Sequence, residues 1–127
     1  MALTHVTAVR NAMADACVDL IDAGSTDANG DLEIMTSGDG EVATLECSNP
    51  AFGAAASGTA TANSISDDTN ATGGTAALFR FKDRDNNEVF RGSVTGTGGG
   101  GDIELDNTTV GAGVTVSITS FTYSASA

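Results

Sequence analysis

The apolar residues of this 127-residue chain change their period once, and that change sets what it can fold into. From Thr4 to Asp22 they recur at steps of three and four: Val6, Val9, Met13, Cys17 and Leu20, with Arg10, Asn11, Asp15 and Asp19 on the opposite side. This spacing predicts a helix over residues 4–22 that buries one stripe. Thr4 is placed to cap its start, and Gly24 stands where helices commonly end. Asp19 and Asp22 fall at the negative end of the helix dipole, a local conflict that points to a basic group nearby.

From Asp27 onward the period is two. Leu32 to Met35 alternates, Ser37-Gly38-Asp39-Gly40 turns, and Glu41 to Cys47 returns, which makes a hairpin. Asn49-Pro50 breaks the run, and Gly58 to Ile65 reads as a strand of Thr and Ala. Thr75 to Lys82 is the clearest strand: Ala77, Phe79 and Phe81 face one way, Arg80 and Lys82 the other. Glu88 to Thr95 pairs back on it, and Ile103 to Leu105 is a short strand. Residues 113–124 form a long last strand whose apolar parity switches between Ile118 and Phe121, which predicts a bulge near Thr119 or Ser120. The expectation is one domain, residues 1–127, mainly β: an antiparallel β-sandwich or jelly-roll-like barrel (27–127) with one N-terminal α-helix (4–22).

Composition narrows what such a domain can bind. Seventeen acidic against five basic side chains give a net charge of −12, which repels nucleic acid and anionic membranes alike. It favours a partner with positive charge or bound cations. Five Phe, one Tyr and no Trp leave little for a core, so association with neighbours would add to a fold that is marginal alone. The opening Met1-Ala2-Leu3-Thr4-His5-Val6 lacks the pattern of a secretory signal, so the chain is expected in the cytoplasm that makes it. In that compartment Cys17 and Cys47 are read as reduced, buried thiols, with a helix-to-sheet disulfide as the alternative.

No catalytic pattern is visible. His5 is the sole imidazole, neither cysteine has an evident base partner, and no Gly-x-Ser-x-Gly elbow occurs. The chain is therefore expected not to be an enzyme, and no cofactor is implied. Gly96-Thr97-Gly98-Gly99-Gly100-Gly101 contains GxGxxG, but a strand follows it instead of a helix, so it reads as a flexible hairpin loop. Asp83-Arg84-Asp85-Asn86-Asn87-Glu88 opens like a calcium loop, yet Glu88 replaces the expected glycine and Val94 the closing acid. A polar turn is the better reading, with a weak calcium site at Asp83, Asp85 and Asn87 as the sharper one. Asp102, Glu104 and Asp106 share one strand face and read as solvated acids.

Four of the five basic residues, Arg80, Lys82, Arg84 and Arg91, lie in one hairpin. Two readings stand side by side: internal pairing with the chain's own acids, and an electropositive patch that docks on an acidic neighbour.

Leu3 to Asp22 (LTHVTAVRNAMADACVDLID) resembles the opening of small virion-associated proteins of tailed bacteriophages. Asn49 to Ala55, Thr59 to Ile65, Gly92-Ser93-Val94, Asp102 to Leu105 and Val114 to Ile118 are similar to later segments of the same proteins, so the resemblance spans nearly the whole chain. It implies a structural part of the virion and no catalytic residues. By analogy with head decoration (cement) proteins of like size and composition, it implies a homotrimer on the outer face of the capsid, bound to the major capsid protein or other virion proteins. A tail- or fibre-associated module is the second expectation, and a small calcium- or carbohydrate-binding β module the third.

Overall fold

The structure is a computed structural model and describes residues 3–125. The first two and last two residues of the expected unit, including Met1-Ala2 of the opening segment, lie outside the described residues. Helix α1 runs Thr7–Asp19 and tightens into a 3-10 turn at Leu20–Asp22. Nine short strands follow among the described residues: β1 Asp31–Met35, β2 Glu41–Glu46, β3 Thr59–Thr61, β4 Gly74–Thr75, β5 Leu78–Lys82, β6 Glu88–Gly96, β7 Ile103–Leu105, β8 Thr109–Val110 and β9 Thr122–Ser124. The expectation of a mainly β chain with one N-terminal helix holds. The sheet itself is curled and mixed rather than wholly antiparallel.

Five strands join in the order β2-β1-β5-β6-β7, while β3 pairs with β9 and β4 with β8 in two small ladders. Both expected hairpins form, β1 with β2 and β5 with β6, because alternation and turn chemistry agree in each. In the central ladder Leu32 faces Phe81 and Ile34 faces Phe79, and Phe81 in turn faces Phe90. One sheet face is thereby lined with rings. All five phenylalanines meet there: Phe79 and Phe81 lie 5.4 and 5.0 Å from Phe121, and Phe52 lies 5.6 Å from Phe81. Edge-to-face pairs of this kind contribute about 0.5–1.5 kcal/mol each beyond their burial. The few aromatics of the chain thus suffice by being pooled. Gly92 makes the packing possible, since a Cβ there would come within 2.6 Å of the Phe79 ring.

Four sequence expectations are corrected. The helix starts at Thr7 with Val6 as N-cap and no capping side chain, so Thr4 does not cap it. Its buried face is not the Val6/Val9/Met13/Cys17/Leu20 stripe; Ala14, Val18 and Ile21 go into the core, while Val6, Val9 and Leu20 stay exposed and Met13 and Cys17 are half-buried. The cause lies in the loop 51–58, whose amides need acceptors. Asn11 Oδ1 accepts from Gly58 N (2.7 Å), Asp15 Oδ1 from Ala55 N (2.8 Å) and Asp22 Oδ1 from Ala51 N (2.9 Å). These part-buried bonds, together with the burial of Ala14, Val18 and Ile21, set the face that the helix turns to the body.

The long last strand is also corrected. Residues 113–116 pair with 68–71 through Val116 N to Asp68 O (2.8 Å) and Ala71 N to Val114 O (3.1 Å), whereas β9 pairs with β3. The parity switch marks a change of partner, not a bulge. Finally, Gly96 to Gly101 does not turn a hairpin: β7 lies parallel to β6, with Val94 opposite Ile103 and Gly96 opposite Leu105. At the other edge, β2 is covered by residues 66–73, with Ser66 N on Glu46 O, Thr44 N on Asp68 Oδ2 and Gly73 N on Val42 O.

Candidate functional site

The sheet face opposite the phenylalanine cluster carries the charged hairpin. The two-residue period of β5 sends Phe79 and Phe81 inward and Arg80 and Lys82 outward. Register puts Glu33 of β1 beside Arg80 on one flank and Arg91 of β6 beside it on the other. Two arginines directly opposite each other repel, and carboxylates resolve the conflict. Arg80 Nε donates to Glu33 Oε1 at 2.6 Å, and its Nη1 lies 3.6 Å from Glu88 Oε1. Lys82 Nζ reaches Glu33 Oε2 at 3.5 Å. Arg91 holds Asp39 with two bonds of 3.0 and 3.1 Å and Glu88 with a third of 2.7 Å.

Burial grades this network. Glu33, only 6 % exposed, is the one charged residue in the core among the described residues, enclosed by Arg80 and Lys82. Arg91 lies at the open rim, its side chain 39 % exposed. Its hydrogen bonds to Glu88 and then to Asp39 push its own pKa up, and the same bonds hold both carboxyls below their usual range. Arg84 stands apart at the turn, where its Nε donates to Asp27 O at 2.7 Å. The sequence thus identifies the basic cluster, and the structure brings three of its four members into one network. It does not single out Glu33. The available signal is one acid inside the apolar run Leu32 to Met35, on a strand beside the most basic one.

Two carboxylates of the Asp83–Glu88 turn, those of Asp83 and Asp85, serve backbone amides. Asp83 Oδ1 accepts from Asp85 N and Asn87 N, both at 2.9 Å. Asp85 Oδ1 accepts from Ser25 N and Thr26 N at 3.0 Å, bonds that hold its carboxyl below the ordinary range. The turn therefore staples the loop after α1 to the β5–β6 hairpin. Arg84 also supplies the basic charge near Asp22, although burial is the larger influence and raises that carboxyl.

The glycine loop has a role that the sequence reading lacks. It curls around the carboxylate of Glu104: Gly98 N donates to Oε1 at 3.0 Å and Gly100 N to Oε2 at 3.2 Å. Gly101 N donates to Thr95 Oγ1 at 3.0 Å, and Asp102 Oδ2 accepts from Ser93 N at 3.0 Å. The positive φ of Gly98 and Gly100, +84° and +80°, turns successive amides inward, a conformation that disfavours L side chains. The loop is pinned at several points, contrary to the flexible hairpin expected.

Comparison with protein-family models, with curated proteins and with solved structures finds no match for this chain. Its chemistry is read from its own residues. Both cysteines are free thiols. Burial pushes Cys47 up to about 12, which leaves it protonated and unreactive at neutral pH. Cys17 hydrogen-bonds Tyr123, and that bond, followed by burial, raises the phenol's pKa. Among the described residues no cluster of His, Cys, Asp and Glu is arranged to hold a metal ion, and no helix is long and apolar enough to cross a membrane. At the open rim of the charged face, Arg91 holds the partly exposed carboxylates of Asp39 and Glu88.

Proposed function

We propose that this chain is a structural protein of a bacteriophage virion, a capsid decoration protein that binds the outer face of the shell. It would add contact area between capsomers and so resist the internal pressure of the packaged genome. The resemblance of its segments to virion-associated proteins supplies the setting, with the major capsid protein as partner and a trimer as the implied stoichiometry. In that reading the small ladders β3–β9 and β4–β8 act as the second layer of a sandwich over the main sheet.

The observation that carries the docking surface is the concentration of cations on the β5–β6 face of a chain whose net charge is −12. Arg91 at the rim and Arg84 at the turn are the contact residues; Arg80 and Lys82 are committed to Glu33 and hold the surface in shape. The test is occupancy on particles. Arg84→Glu combined with Arg91→Glu should lower the number of copies bound at low salt while the free protein, less stable for the loss of the Arg91 ion pairs with Asp39 and Glu88, still folds. Full occupancy by this folded variant would remove the hairpin from the docking surface. A copy number matching tail symmetry instead of the shell lattice would favour the tail-associated reading.

A further inference from the structure

Helix α1 has two apolar faces, and the structure uses one. Ala14, Val18 and Ile21 fill the core, while Val6, Val9, Met13, Ala16 and Leu20 follow one another at steps of three, four, three and four. That is the a/d spacing of a coiled-coil seam, which a second helix fills by knobs-into-holes packing. Val6, Val9, Ala16 and Leu20 of the seam are exposed, while Met13 at its middle is half-buried against the core. Val6 is 69 %, Val9 42 % and Leu20 56 % exposed, and with Leu3 they make up four of the five exposed large apolar residues described. Such a concentration on one surface marks an interaction site.

Charge identifies the occupant. Asp19 flanks the seam in the last turn of α1, where a carboxylate opposes the helix dipole, and it makes no hydrogen bond or ion pair among the described residues. At the other end of the helix, the first turn carries neither a capping side chain nor an acidic residue; Val9 N and Arg10 N donate to Val6 O, which leaves the amides of Thr7 and Ala8 without a protein acceptor among the described residues. One end has an unpaired acid and the other lacks one. A second copy of the same helix, laid antiparallel with Met13 against Met13, supplies each from the other: Asp19 falls opposite Thr7 of the partner copy, and Leu20 opposite Val6. We infer that α1 pairs with α1 of a second copy of this chain, antiparallel about a two-fold axis, with each Asp19 capping the partner's helix. Such a contact is isologous. It stands independently of the virion reading and of any three-fold contact elsewhere on the chain.

Sedimentation equilibrium of the full chain tests this. The wild type should have twice the mass of Val9→Lys, with both proteins giving the same circular dichroism and melting cooperatively. Ala16→Glu, a second exposed seam position, should halve the mass in the same way. Equal masses for the wild type and both folded variants would overturn the pairing and leave the docking test on particles untouched. Asp19→Asn tests the orientation. The antiparallel arrangement loses two carboxylate–dipole contacts, so self-association should weaken about fivefold at low salt. Unchanged or tighter association would overturn it, because a parallel pair would gain from removing two neighbouring like charges.

Discussion

Glu33 is a carboxylate inside the protein whose partners come from the next strand. Arg80 donates to one oxygen and Lys82 approaches the other, so the acid depends on both. Removing one partner of a buried pair costs more than the pair itself is worth. Arg80→Met should therefore destabilise by about 2 kcal/mol, a value reduced for the guanidinium's partial exposure. Glu33→Met combined with Arg80→Met should recover most of that loss; chemical denaturation of the two variants and the wild type measures it. Asp22 and Asp31 behave in the opposite sense, because burial raises both carboxyls above their usual 3.8. A raised carboxyl contributes stability below its unfolded pKa and loses it as pH rises through the folded value. At pH 7 both ionised acids thus cost stability. Asp22→Asn with Asp31→Asn should raise the melting temperature at pH 7, with the advantage fading as pH falls below 3.8. The first of these substitutions keeps a side-chain carbonyl oxygen that can still accept from Ala51 N.

At the scale of elements, the helix divides what the sequence shows from what it hides. Its existence follows from spacing, since steps of three and four hold from Val6 to Leu20. Its orientation does not, because the acceptors on Asn11 and Asp15 answer amides 47 and 40 residues away. Local periodicity carries no information about which distant loop will need hydrogen bonds. Val18→Asp should unfold the protein or cost about 4 kcal/mol, whereas Val9→Lys should change the intrinsic stability of the folded chain by about 0.5 kcal/mol or less. Thermal melts of the two variants distinguish the faces. The β1–β2 and β5–β6 hairpins were legible because alternation, turn residues and register all act within a few residues. β7 was legible as a strand but not as a parallel one, since its direction is set by the glycine loop. The basic cluster was likewise plain from composition, while its burial around Glu33 depends on the pairing of β1 with β5, which sequence order does not reveal.

For the molecule as a whole, a net charge of −12 acts on every packing decision. Like charges raise the free energy of the compact state, and the five basic side chains compensate on one hairpin and one helix turn only. Asp67 and Asp106, bonded to Ser117 and Thr97, lie outside that compensated region. Added salt screens their repulsion over about 10 Å at 0.1 M. The melting temperature should therefore rise between low salt and about 0.5 M sodium chloride, and a differential scanning series would show it. A fall over that range would mean that the Arg80, Arg91 and Lys82 pairs outweigh the general repulsion. The same screening weakens docking through Arg84 and Arg91, so conditions that stabilise the free chain are those in which its cations reach least far.

The loop around Glu104 also bears on ligand competition. Two glycine amides converge on a carboxylate that is tethered four to six residues away along the chain. A tethered group competes at an effective concentration of millimolar or more, set by its linkage and not by the surrounding solution. The two amides of the Gly96–Gly101 segment are thus satisfied by the chain's own carboxylate, and a free phosphate would have to displace a resident that never diffuses away. Glu104→Ala removes the resident. Inorganic phosphate at about 10 mM should then raise the variant's melting temperature more than an equal ionic strength of chloride does, while the wild type responds to the two salts alike.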